Sequence, residues 1–292
     1  MQARTSQKCK VIQSPYLRNN RTACLTLDLE QDFAGLLERP SYEGLEHLPQ
    51  LIALLRAKGT PLTCFVQGSL LETHWQQVSQ LYELDIEFGL HSYSHPAPGK
   101  MNFEFEISTG RETYRNVFGC YPAAYRSPMG FVNEECLRLL AENGFKYDSS
   151  IFPSFRPGVF NNLRSPIKPF LVNESGVVEF PCAVLSSFIR IPVSLSYIKL
   201  MGKPYWFLLK TMKLPNLIVS GFHLHDLFQL SSAAEIPLIN YSPIHRAVLQ
   251  REYLREKSGM FLLEKLIDML GQKGYTFVKL RDVYDAIHGK DG

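Results

Sequence analysis

Two histidines stand four residues apart in FGLHSYSHPAP (88–98), directly after an apolar run. At that spacing His91 and His95 can meet on one helical turn and offer two nitrogen donors to a divalent ion, as zinc-binding helices do. Ser92 and Ser94 are suited to hold such a turn through local hydrogen bonds. Without an acidic partner, the pair reads equally as one core histidine and one surface histidine. In ACLTLDLEQDF (23–33) an apolar run ends in Asp28, Glu30 and Asp32. Residues two apart on an extended chain face the same way, so Asp28 and Glu30 share a side. Two imidazoles and one carboxylate, with positions left to water, make a facial site for a divalent cation.

Two further apolar runs end in reactive groups. In YRSPMG (125–130), Arg126 precedes a proline turn. A guanidinium there can grip a carboxylate or a substrate oxygen in fixed geometry, or simply form a surface ion pair. In NLIVSGFHLHD (216–226), His223 and His225 alternate and project to one side as long as the strand continues through them. One of the two is a candidate acid or base.

The elements that must position these groups follow a regular rhythm. Apolar runs of strand character at 22–30, 60–67, 85–92, 123–127, 145–151, 176–184, 216–226 and 275–280 alternate with helical patterns. The helices are expected at 46–59, 69–84 (with Ser69 and Glu72 at capping-box spacing), 102–119, 133–144 and 260–274. Such alternation implies an α/β fold with a parallel sheet. About seven parallel strands imply a single closed or nearly closed (β/α) barrel, whose functional groups gather at the C-terminal ends of the strands. The expected domain spans 21–292, after a basic tail at 1–20 and with an irregular Pro-, Asn-, Gly- and Ser-rich insertion at 152–177. Residues 189–219 are apolar but interrupted by lysines and prolines. They read as a buried helix with its flanks, with peripheral membrane contact as the second reading.

Composition narrows the function. The chain has 292 residues, 45% hydrophobic and 20% charged, and a net charge of +3, too small to argue for a nucleic-acid partner. Six cysteines lie without CxxC pairs, several inside apolar runs, as in a reducing compartment. The polar first twenty residues and the lack of a long apolar run point to a cytoplasmic protein, at most at the inner face of a membrane.

In order, LTLDLEQDF (25–33), HSYSH (91–95), YRSPMG (125–130), YDSSIFP (147–153) and GFHLHDL (221–227) resemble the motifs of the polysaccharide deacetylase superfamily, carbohydrate esterase family four. RSPIKPFLVNESGVVEFPCAV (164–184) is similar to a branch associated with exopolysaccharide biosynthesis. The resemblance implies a distorted (β/α) barrel and a metal-dependent hydrolase that removes an acetyl group from an N-acetylated carbohydrate, whether a glycan, lipid-linked or nucleotide-linked. The implied metal is zinc, with cobalt, nickel, manganese or iron as alternatives. His91 and His95 match the metal histidines. The family's adjacent aspartate pair is replaced by Asp28-Leu29-Glu30, which implies Asp28 as base, Glu30 as ligand and Asp32 as the alternative carboxylate. Arg126 matches the arginine that orients the base, the Met129 amide matches an oxyanion donor, and Phe152 stands where a tryptophan is usual. His223 matches the catalytic acid of one branch and His225 that of another. Two other readings are a hydrolase of a small cyclic amide and a catalytically silent glycan-binding module. The sequence does not address the oligomeric state.

Overall fold

The computed structural model describes residues 9–33, 36–96, 99–156, 160–172, 176–240, 243–250 and 259–289. Its strands are β1 (Lys10–Val11), β2 (Thr22–Leu29), β3 (Leu62–Val66), β4 (Ile86–Leu90), β5 (Ala124–Tyr125), β6 (Tyr147–Asp148), β7 (Phe155–Arg156), β8 (Phe160–Asn161), β9 (Phe170–Leu171), β10 (Val178–Glu179), β11 (Leu217–His223) and β12 (Thr276–Phe277). Seven of them run parallel in the spatial order β10-β6-β5-β4-β3-β2-β11. No ladder joins β10 to β11. Instead the chain just beyond β10 closes the gap, where the Ala183 N–H donates to the Val219 carbonyl in β11 at 2.9 Å. The result is a distorted barrel of seven parallel strands. The short β12 pairs with the first two residues of β2, beneath β3.

Period two along the strands sorts the side chains. Leu25, Leu27 and Leu29 of β2 face outward and are buried with Leu48, Leu51 and Leu55 of the helix Leu48–Ala57. The alternate residue Cys24 faces inward, in a cluster with Phe65, Ala124, Tyr147, Phe180 and Val219. Leu280 and Val283 of the C-terminal helix Leu280–Ile287 join that cluster and plug one end of the barrel. The inward series Cys24, Thr26, Asp28 then continues to Glu30 at the other, open end.

Several elements differ from the sequence expectations. The helix expected at 69–84 is broken into Gly68–Thr73, Trp75–Val78 and a 3-10 segment Ser79–Glu83, with non-helical backbone at His74. Gln67, not Ser69, stands at its N-cap, and the Ser69 hydroxyl accepts from the Gln67 amide instead. Residues 189–219 contain two short helices, Leu195–Met201 and Lys203–Thr211, separated by Gly202 in a positive-φ conformation. Tyr205 and Leu209 face the core, whereas Phe207 is 65% exposed. No helix among the described residues is long and apolar enough to cross a membrane. The segment 152–177 contains the antiparallel β7–β8 hairpin and β9. Within 1–20, β1 pairs with β9, and the helix Pro15–Asn19 packs Tyr16 and Leu17 against the inner cluster.

Candidate active site

The open end of the barrel holds a pocket of about 160 Å³. Asp28, Glu30, His91, His95, Arg126 and His223 line its base, and Phe33, Leu36, Phe152, Phe160, Tyr197 and Leu249 form its apolar walls. β2 delivers Asp28, and the chain one step beyond it delivers Glu30. β4 leads directly into His91, β5 into Arg126, and β11 ends at His223. Five groups from four strands far apart in sequence therefore converge because those strands are parallel and end together.

His91 and His95 present their Nε2 atoms to the same oxygen, Glu30 Oε2, at 2.9 and 2.7 Å. They are not on a helical turn. Residues 91–96 form a loop in which Ser92 and His95 both take positive φ, and the Ser92 hydroxyl accepts from the His95 amide. Glu106, in the first turn of the helix Phe103–Phe118, anchors the loop by accepting from the Tyr93 and Ser94 amides and from the Ser94 hydroxyl. Met129 and Phe33 are also left-handed, so among the described residues the four non-glycine positions with positive φ either line this pocket or, as Ser92, sit next to a lining residue. Each conformation costs about 1–3 kcal/mol, which surrounding contacts must offset.

The donor set fits a divalent cation. The Arg126 carbonyl can only accept, so His91 Nδ1, 2.8 Å away, carries the proton and donates to it. In the neutral ring, Nε2 is then a lone pair aimed at a carboxylate oxygen, an arrangement that suits coordination. Glu30, His91 and His95 each offer a ligand atom within 4.8 Å of the others, as do Glu30, His223 and His225. Burial works against the Glu30 carboxylate, but the adjacent His95 and the close contacts with both imidazoles hold its pKa well below the usual range. Burial likewise opposes a charged His95, and Glu30 pushes its pKa up.

Arg126 is fully buried beside Asp28. Its Nη1 donates to Asp28 Oδ1 at 2.7 Å and to Thr26 Oγ1 at 2.8 Å. Nε and Nη2 donate to the carbonyl and hydroxyl of Ser149, and the guanidinium lies over the Phe65 ring at 4.3 Å. Arg126 is thus an internal clamp on the base-candidate carboxylate, not a surface ion-pair former.

His223 and His225 are placed differently. β11 ends at His223, and His225 belongs to the short helix Leu224–Leu227, although the two rings still stack with centroids 4.6 Å apart. His223 Nδ1 donates to Asp226 Oδ2 at 2.9 Å, which leaves Nε2 3.6 Å from Asp28 Oδ2 and 3.9 Å from Glu30 Oε1. Burial opposes its charge, yet the Asp226 bond and the surrounding carboxylates push its pKa up to about 10. His225 Nδ1 accepts from the Phe33 amide, and burial together with the charge of His223 pushes its pKa down to about 3.

Asp32 lies outside the cluster. It is buried, accepts from the Ser41 hydroxyl and the Gly44 amide, and fixes the turn that follows β2. The geometry thus favours Glu30 over Asp32 as the carboxylate beside the histidines. Phe152 lines the pocket and stacks on Phe160, and Met129 and Ser127 line it as well. Thr26, Glu106 and Ser149 are not singled out in the sequence, and Asp226 is read there only as a polar residue ending the same apolar run as His223 and His225. Thr26 was findable from its two-residue offset to Asp28, whereas Glu106 and Ser149 carry no local signal.

Comparison with known proteins covers part of this site. Residues 39–147 match the polysaccharide deacetylase family. That stretch includes His91, His95 and Arg126 but neither the Asp28–Glu30 segment nor His223, which the fold brings alongside. A curated peptidoglycan deacetylase from Helicobacter pylori is 29% identical over 124 residues, 41% of this chain. The match spans 42% of that relative's length. A Mycobacterium smegmatis structure named for polysaccharide deacetylases has a TM-score of 0.60 at 17% identity, covering 97% of this chain and 95% of its own. An allantoinase has a TM-score of 0.59 at 13% identity, covering 98% and 95%. A pseudoenzyme of carbohydrate esterase family four from Bacillus anthracis has a TM-score of 0.52 at 13% identity, covering 92% and 66%. At these identities the structural likeness is one of fold.

Proposed function

We propose that this chain is a metal-dependent hydrolase that removes the acetyl group from an N-acetylated sugar. The observation that carries the reading is one pocket holding three convergent metal-ligand donors, an arginine-clamped carboxylate and an aspartate-held imidazole. Glu30, His91 and His95 would hold the cation, and their nitrogen and oxygen donors suit zinc, with cobalt, nickel, manganese or iron as alternatives. A divalent ion supplies Lewis acidity for an acetamide carbonyl and makes water a stronger nucleophile.

The rest falls to the protein. Arg126 occupies Oδ1 of Asp28, which leaves Oδ2 to take the proton from the attacking water. The Met129 amide is the candidate donor to the oxyanion. His223, kept charged by Asp226, donates its Nε2 proton to the sugar nitrogen as the C–N bond breaks. Acetate and a free amine result. His225, neutral and bonded to the Phe33 amide, is better suited to buttress His223 than to replace it.

The pocket, about 160 Å³ and apolar-walled, suits one acetylated sugar unit at its base. Arg156 stands exposed on its rim and gives a phosphate or carboxylate of a nucleotide- or lipid-linked sugar a partner. The branch associated with exopolysaccharide biosynthesis is consistent with this, and the six free thiols with a cytoplasmic setting. The same small pocket also suits a second reading, hydrolysis of a small cyclic amide. Purified protein loaded with zinc should release acetate from a panel of N-acetylated nucleotide sugars and oligosaccharides. Ring opening of cyclic amides without any acetate release would favour the second reading and overturn the first.

A further inference from the structure

A second cavity lies toward the opposite end of the barrel. It measures about 390 Å³ and is bounded by four segments, 12–18, 167–169, 181–187 and 213–217. Leu217, the first residue of β11, lines it, whereas His223, the last, lines the active-site pocket. The two sites are thus separated by the length of one strand, roughly 20 Å at about 3.3 Å per residue.

The walls are held by hydrogen bonds between the segments. Asn216 donates from its amide side chain to the Leu17 and Arg18 carbonyls, and the Ile12 amide donates to the Pro169 carbonyl. Tyr275 and Lys273 donate to the Pro215 and Met212 carbonyls, which straps the fourth segment to the barrel. The cavity is therefore a built feature, and its volume lies within the range of small-molecule sites.

Its chemistry is two-sided. Ile12, Leu17, Ile167, Leu185, Leu214 and Leu217 supply an apolar lining. Arg18, Lys168 and Lys213 contribute cations from three of the four segments, all on exposed residues, and no carboxylate is among the described residues that line it. Beside Ser187, Phe188 is 96% exposed at the edge of the same segment. Three cations and no carboxylate beside an apolar hollow favour an anion on an apolar body.

We infer that this cavity is a second ligand site, for an anionic amphiphile whose apolar chain fills the hollow and whose phosphate is gripped by Arg18, Lys168 and Lys213. The inference does not depend on the reaction proposed for the other end. Calorimetric titration of the full chain with monomeric dodecyl phosphate should give saturable binding at one site. Inorganic phosphate should bind at least about tenfold more weakly, and neutral dodecyl maltoside should not compete. The triple variant Arg18→Gln, Lys168→Gln, Lys213→Gln, changed only at exposed positions, should lose about tenfold or more in affinity at unchanged melting temperature. Ser187→Trp, which intrudes on the cavity, should weaken the alkyl phosphate but not inorganic phosphate. Equal affinity for inorganic and dodecyl phosphate would overturn the apolar half of the inference. Unchanged binding in the triple variant, or equal competition by the neutral detergent, would overturn the site itself.

Discussion

Glu30 is the residue on which the site turns. Both histidines present Nε2 to one of its oxygens, and the other lies 3.9 Å from His223. The sequence left it in competition with Asp32, because both follow the same apolar run. Their partners separate their roles: Asp32 is bonded to Ser41 and Gly44, and Glu30 extends the inward series of β2. His91 is the sharper test of the metal assignment, since its Nδ1 is already committed to the Arg126 carbonyl. His91→Ala should lose bound metal, measured by atomic emission on protein reconstituted with zinc. Wild-type stoichiometry in that variant would mean that the donors lie elsewhere.

At the scale of elements, the strands were legible and the loops were not. Every expected strand is present, because strands buried on both faces of a barrel wall read as short continuous apolar runs. The histidine loop escaped the reading because its shape depends on Glu106, which approaches from a helix beginning eight residues after His95. The i, i+4 spacing suggested a helical turn, but two left-handed residues bring the rings together instead. Such a loop needs an external anchor. Glu106→Gln keeps the helix but removes the charge that holds two amides and a hydroxyl. Its metal affinity should fall about tenfold, in the range of outer-shell losses, as read by competition with a chelating dye. Unchanged affinity would show that the loop holds its own shape.

Across the whole molecule, the barrel separates two environments. One end gathers the convergent polar groups, and the interior and far end are closed by Phe65, Tyr147, Phe180 and the C-terminal helix. The alternation of elements made that architecture readable, and the closure between β10 and β11 did not follow from it, because a single backbone hydrogen bond replaces a ladder there. A second feature invisible in the sequence is the fully buried carboxyl pair Asp148 and Glu179, in register on β6 and β10. Burial and the adjacent Asp148 push the Glu179 pKa well above its ordinary 4.5, so the folded state retains a proton that the unfolded chain releases. Stability from this group is complete at pH below about 4.5 and is lost as pH rises toward the raised folded-state value. Thermal unfolding across about pH 5 to about pH 8 should therefore show the wild type losing stability relative to Glu179→Gln, which has no proton to release. A constant difference between the two would mean that the pair does not hold a proton on folding.

The central claim is that a clamped Asp28 acts on water beside a metal held by Glu30 and the two histidines. Its most direct test is acetate release by metal-stripped and zinc-reloaded protein, run in parallel with Asp28→Asn on the N-acetylated substrate that the wild type turns over best. Zinc should restore acetate release to the wild type. Asp28→Asn should bind zinc normally yet turn over about 10² to 10⁴ times more slowly, the range expected for loss of a general base. Acetate release that needs no metal, or that survives Asp28→Asn at full rate, would contradict the account.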